Sequence, residues 1–328
     1  MSVISVGAEA EPVTPVVFLR PSALLYVYII IPIVAIFLVC DSIFSGLALS
    51  RSFPADPHSI QWFTVFFMLP HIFTSAFTFL DAEYIQHYRR RLIVSSLLFV
   101  LLIAVVMVFH FIIPFMLFVS IYTIYHLIGQ QTGIASMLAG SRSRIYTVWK
   151  WVTFLTLLII YMAVILGGGM NVLVRIFPYF CLGYLFFSLF VAFQAPRLIG
   201  RYYILATAVM IVFSFLLYVK NLPFFMILIP RFVHDVTAYF FYVTHNMNRN
   251  AEKNHSIFSR LRKKIPLPEY LYAPLVGVVC TVIVTVLMRQ YIVFLIAFMA
   301  LFHYHLEGVM WKNGSPHRRY IHMAPASI

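Results

Sequence analysis

Residues 89–109 read RRRLIVSSLLFVLLIAVVMVF: three arginines, then eighteen uncharged residues of which only Ser95 and Ser96 are polar. At a rise of about 1.5 Å per residue, the uncharged run makes a helix of about 27 Å. That nearly matches the roughly 30 Å hydrocarbon core of a bilayer. A surface helix of a soluble domain must keep one face polar, and this run has no such face. The arginine triplet marks the end retained on the cytoplasmic side.

Outward from this run the same pattern recurs. Ten segments are long and apolar enough to be read as spans, each needing about 20 residues: 22–46, 60–81, 92–109, 111–137, 149–167, 171–195, 201–219, 222–246, 271–289 and 291–311. Prolines and glycines punctuate the joins, as in GGG at 167–169 and NLP at 221–223. Pro32, Pro114, Pro178 and Pro230 fall inside spans, where membrane helices accommodate them as kinks. Composition agrees: 62% of residues are hydrophobic and 10% charged, more apolar surface than a soluble domain can bury. The expected fold is all-α, a polytopic transmembrane helical bundle over 22–311. Residues 1–21 and 312–328 form short tails, too short for a further domain.

Basic residues number 23 against 10 acidic ones. In a soluble protein that excess would suggest nucleic acid, but no basic folded face exists here, so nucleic acid is excluded as a partner. Counted by alternate loops, eighteen basic residues fall on one side, from Arg20 and Arg89–Arg91 to Lys312, Arg318 and Arg319. Only Arg51, Lys220 and Arg289 fall on the other, with Arg175 and Arg231 inside spans. The positive-inside rule then places both termini in the cytoplasm, with a bacterial inner membrane as the expected location. Cys40, Cys181 and Cys280 lie far apart in apolar runs and read as small core residues.

Ionisable side chains at membrane depth are costly, so each is a site candidate. The second span carries His71 and ends at Asp81. The fourth carries His126, the eighth His234, Asp235 and His245, and the tenth His303, His305 and Glu307. The odd-numbered spans carry no histidine at depth, and the four histidine-bearing spans are expected to run in the same direction. His126 and Gln130 share a helix face at i,i+4, as do His303 and Glu307. His234 and His245 share a face about three turns apart, roughly 16 Å along the axis, so one ion cannot take both.

Imidazoles with a carboxylate and no paired cysteine suit a first-row metal, iron above zinc or copper, as one or two ions. The expected ligands are His71, His126, His234, His303, Asp235, Glu307, His245 and His305, with Gln130 and Asp81 orienting them. No catalytic residue separate from the metal site is expected. Aromatic surroundings (Tyr239, Phe240, Phe241, Tyr242, Phe302, Tyr304) suit a lipophilic isoprenoid or lipid substrate entering from the bilayer. An iron-dependent oxygenase, desaturase or hydroxylase would also need an electron donor, a further expected protein partner. The plainer reading of these histidines is a hydrogen-bonded network tying helices together. His58, His110, His255, His317 and His322 read as ordinary loop or interface residues, and His87 beside the arginine triplet as interfacial. Trp311 and Tyr320 read as interface anchors.

Other classes fit less well. A retinal-type Schiff base needs a lysine within a span, and all six lysines lie at ends or loops. GGG at 167–169 lacks the Lys-Ser/Thr and preceding strand of a phosphate loop. NGS at 313–315 matches a glycosylation pattern, but it is discounted because it falls on the cytoplasmic side. A secondary transporter or channel with His, Asp and Glu as a proton or metal-ion path remains the alternative, and a structural membrane protein the third.

The order LPHIF (His71), IYHLIG (His126), RFVHDVTAYFFYVTH (His234, His245) and LFHYHLEG (His303, His305) resembles the Brp/Blh family, membrane β-carotene dioxygenases that make retinal. The likeness covers about four helices. It implies histidine-ligated iron in a helical bundle with a lipophilic substrate. Two departures stand out: the family's Asp four residues after the first His is Ser75 here, and the third motif spreads its histidines over eleven residues. The ending HYHLEGVMWK is also similar to an HYxxDxxIWK ending of uncharacterised bacterial membrane proteins.

Overall fold

The computed structural model describes residues 16–54, 65, 69–141, 143–165, 171–252, 264–265, 267–287, 292–312 and 314–324. His58, His255, GGG at 167–169, Asn313 of NGS and most of the basic loop 253–263 lie outside the described residues.

The chain begins with a short strand, β1 (Phe18–Leu19). Helix α1 (Pro21–Tyr26) follows, with proline in its first turn where no backbone N–H is needed. A 3-10 turn (Val27–Ile29) carries it into α2 (Ile30–Ser45), and Gly46 in the left-handed region ends the first span. After α3 (Ala48–Ser52) come α4 (Leu69–Phe79), α5 (Ala82–Phe109), α6 (Ile112–Ala139), α7 (Arg144–Ile165) and α8 (Asn171–Phe193). Then follow α9 (Leu198–Val219), α10 (Pro223–Glu252), α11 (Glu269–Leu287), α12 (Ile292–Met310) and β2 (His322–Met323).

Each of the ten expected spans meets a helix. Eight are long and apolar enough to cross a membrane, so this is an integral multi-pass bundle. The other two are shorter. α4 has 11 described residues, with most of 55–68 outside the description, and the apolar part of α12 runs over Phe294–Met310. These two short helices carry His71 and His303.

Burial sorts the helices. Leu97, Leu98, Leu101 and Val108 leave α5 exposed, as a lipid-facing wall requires. α10 is the most enclosed of the long helices, packed against α2, α4, α6, α9 and α11. Two helix crossings are close enough to require glycine: a Cβ on Gly200 would lie 2.3 Å from Ala139 Cα, and one on Gly277 2.4 Å from the Pro70 carbonyl oxygen. Small residues at such crossings let membrane helices gain dispersion contact. Buried hydroxyls add hydrogen bonds between them. Gln131 Oε1 accepts from Tyr28 (3.0 Å) and Tyr203 (2.6 Å), and Trp149 Nε1 donates to Ser188 (3.0 Å).

The tails are fastened together. β1 and β2 pair in parallel, Phe18 opposite His322 and Leu19 opposite Met323. Asn248 on α10 ties both: its Oδ1 accepts from Val17 N (2.7 Å), and its Nδ2 donates to Val17 O (2.9 Å) and Tyr320 O (2.8 Å).

Candidate metal centre

α4 and α6 each pack against both α10 and α12, and the four helices enclose one buried point. His71 from α4, His126 from α6, His234 from α10 and His303 from α12 meet there. Their rings form a closed circuit: His71–His234 5.4 Å, His234–His126 4.9 Å, His126–His303 5.3 Å and His303–His71 4.7 Å between centroids. His71, His234 and His303 are at most 1% exposed. Helix geometry places them. His303 and Glu307 share a face of α12, and Arg231 and Asp235 a face of α10, each pair one turn apart.

Three contacts define the centre. His71 Nε2 and His303 Nε2 stand 3.1 Å apart, His126 Nε2 lies 3.0 Å from Glu307 Oε2, and His303 Nε2 lies 4.0 Å from Glu307 Oε1. Around them, other groups fix orientation. Ser75 hydroxyl bonds His303 Nδ1 at 2.7 Å, Asp235 Oδ1 lies 3.4 Å from His71 Nδ1, and Tyr242 hydroxyl donates to Glu307. Arg231 Nε reaches both oxygens of Asp235 at 3.2 Å. Tyr304 stacks on His126, its ring 4.4 Å away, and its hydroxyl bonds Thr123 at 2.9 Å.

The donor set fits a metal ion. His126, His234, His303 and Glu307 each offer a ligand atom, all within 4.8 Å of one another; His71, His234 and Asp235 form a second such group. Ligands about 2.0–2.1 Å from one ion stand roughly 3–4.2 Å apart, so a contraction under an ångström closes the first group. Neither nitrogen of buried His234 has a hydrogen-bond partner among the described residues. A buried polar atom without a partner costs about 1–3 kcal/mol, a penalty that ligation would remove. Asp235 already offsets the Arg231 guanidinium. It is better suited to orienting His71 than to binding an ion, the usual carboxylate–histidine–metal arrangement. Glu307 has no Lys or Arg partner among the described residues.

A cavity of about 570 Å³ opens beside the centre, lined by His126 and Glu307 together with Tyr122, Tyr125, Phe241 and Trp311. Its size falls in the range of small-molecule sites.

Six of the expected ligands are therefore brought together. The other four residues are placed elsewhere. His245 bonds Tyr84 hydroxyl at 3.0 Å and stacks on His317 in a separate cluster toward the chain ends. His305 faces Phe99 on α5. Asp81 precedes α5 and pairs with Arg249 at 2.9 Å. Gln130 accepts from Gln131 and lines the cavity, one turn from His126. His317, read as an ordinary terminal residue, is fully buried. Arg231, noted from the sequence only as lying inside a span, belongs to the centre. Ser75, Tyr242 and Tyr304 were not foreseen as its supports.

The fold and site together define a polytopic helical membrane protein with a buried histidine–carboxylate centre. The chain matches no family model, no curated protein and no solved structure.

Proposed function

We propose that the chain is a membrane-embedded oxidoreductase, an oxygenase, desaturase or hydroxylase acting on a lipophilic isoprenoid or lipid substrate through histidine-ligated iron. The closed circuit of four imidazoles, three of them buried, with neither nitrogen of His234 hydrogen-bonded among the described residues, carries this reading. His126, His234, His303 and Glu307 would hold one ion, and His71, oriented by Asp235, would join them or approach a second ion beside it. Iron, when bound, supplies the redox chemistry that opens C–H or C=C bonds to O₂.

The chain's own residues do the rest. Asp235, held by Arg231, keeps His71 in one tautomer, and Ser75 does the same for His303. Tyr242 fixes the Glu307 carboxylate. The aromatic walls of the cavity exclude water and receive an apolar chain beside His126. The resemblance of the motif order to the Brp/Blh family points to the same class. The eighteen-to-three bias in basic residues supports cytoplasmic termini in a bacterial inner membrane, with an electron-donor protein meeting that face.

The test is metal analysis of detergent-purified protein after reconstitution with Fe(II), beside His126→Ala and His303→Ala. Stoichiometric iron in the wild type, lost in both variants with the fold retained, is the expected result. Stoichiometric zinc or copper instead would replace iron as the metal. Absence of any bound metal would sink the proposal and favour a proton or ion path through the same groups.

A further inference from the structure

The cavity beside the centre adjoins a second one of about 860 Å³ along a wall of Gly129, Gly133, Met137, Lys150 and Arg318. The two differ in chemistry. The first is mainly aromatic and aliphatic, and its only carboxylate among the described residues is Glu307 at the metal centre. The second is lined by Thr132, Ser136, Ser141, Ser143 and Thr147, together with Arg197, Lys150 and Arg318. No carboxylate lines it among the described residues. Lys312 adds a fourth cation at the rim of the first cavity.

Lys150, Arg197 and Lys312 have no carboxylate partner among the described residues; Lys150 Nζ meets only the Tyr125 hydroxyl (3.1 Å) and the faces of Tyr125 and Trp151. The buried Tyr146 hydroxyl, on the same wall, makes no hydrogen bond among the described residues. Convergent cations in a recess focus a positive potential, and serine and threonine hydroxyls donate to anion oxygens. Arginine and lysine together, with several donors, match a phosphate better than a single carboxylate.

We propose that the substrate is an anionic amphiphile, a phosphate-bearing lipid or isoprenoid. Its head sits between Lys150, Arg197 and Arg318, and its chain runs past Phe241 and Trp311 toward His126 and Glu307. The inference rests on the metal-centre reading for which end reacts, and on the two adjoining cavities for how the head is held. A neutral hydrocarbon would leave Lys150 and Arg197, which have no carboxylate partner among the described residues, without an anionic counterpart. Free phosphate would leave the aromatic cavity unused.

Binding of three probes to the purified protein in neutral-detergent micelles tests it: dodecyl phosphate, dodecanol and inorganic phosphate. Dodecyl phosphate is expected to bind saturably and at least tenfold more tightly than either of the others. A charge-assisted hydrogen bond is worth about a factor of ten, so Lys150→Gln and Arg197→Gln should each weaken dodecyl phosphate by about that much. Dodecanol binding should not change in either variant. Gly133→Leu, where an added side chain meets open space, should weaken dodecyl phosphate without a charge change. If Lys150→Gln fails to fold, Arg197→Gln and the exposed Lys312→Gln carry the test. Equal affinity for dodecyl phosphate and dodecanol, or indifference to the charge variants, overturns the proposal. Inorganic phosphate binding as tightly as dodecyl phosphate overturns it too, in favour of a free-phosphate site. Iron measured on the same samples separates the two readings. Iron retained without selective dodecyl phosphate binding fails only this inference, and selective binding without iron fails only the metal centre.

Discussion

His303 is held at both ring nitrogens, by Ser75 at Nδ1 and by His71 at Nε2. Ser75→Ala should therefore lower metal affinity about 10–100-fold, measured by chelator competition, while Ser75→Thr keeps the hydroxyl and most of the affinity. Arg231→Leu should be worse for the fold, because it leaves Asp235 charged and buried. A loss of about 3–5 kcal/mol is expected in detergent unfolding, and adding Asp235→Leu should recover much of it. At this scale the sequence was legible where the rule of costly intramembrane charge applied. It picked out His71, His126, His234, His303, Asp235 and Glu307, which meet. The same rule picked out His305 and His245, which do not, because depth says nothing about direction. His305 lies two residues past His303, about 200° around the helix at roughly 3.6 residues per turn. Ser75 and Tyr242 were invisible, since serine and tyrosine are ordinary in membrane helices and their partners are on other helices. Arg231 showed only as a charge out of place, although its spacing from Asp235 was there to be read.

Among the elements, α4 is the one whose position the centre depends on most directly. Pro70, adjacent to His71, lies against Gly277 of α11 so closely that no side chain fits between them. Gly277→Ala should push α4 away, at a cost of about 1–3 kcal/mol, and lower iron content in the folded fraction. Gly200→Ala, at the α6–α9 crossing, should cost a similar amount but leave iron stoichiometry intact, because Ala139 is thirteen residues beyond His126. Loss of iron in both variants, or in neither, would contradict this division. Hydropathy located ten helices, since a spanning run must be apolar whatever its neighbours. It could not say which helix meets which, because faces toward lipid and faces toward protein are equally apolar. The crossings are set instead by single glycines and by polar groups such as Gln131 and Ser188.

Across the whole molecule, α10 joins the centre to the fastened tails. Its Arg231, His234 and Asp235 serve the centre, and its His245, Asn248 and Arg249 receive the terminal segments. His317 is sandwiched there against Tyr84 and His245, and burial, with His245 and Arg249 nearby, holds its ring down to about 2. An unfolded histidine takes its proton near 6.5. Above about pH 7 neither state is protonated and no penalty arises. Between about pH 6.5 and 2 only the undocked segment binds the proton, so docking weakens by up to about 1.4 kcal/mol per pH unit as pH falls. Hydrogen exchange over residues 314–324, corrected for intrinsic rate, should therefore be faster at pH 5.5 than at pH 7.5. His317→Phe should flatten that dependence, and an unchanged slope would refute the account. The tails were read only as short segments with interface anchors at Trp311 and Tyr320; their pairing was not legible, since a two-residue strand leaves no pattern and its partner lies at the far end of the chain. Their pairing bears on how the protein is made. Translation runs at about 5–20 residues per second, so Leu19 waits on the order of tens of seconds for Met323. Throughout that wait α12, with His303 and Glu307, is also still to be synthesised. Closing the parallel pair thus comes after α12 has been made. It follows the synthesis of all four helices that bring His71, His126, His234 and His303 together.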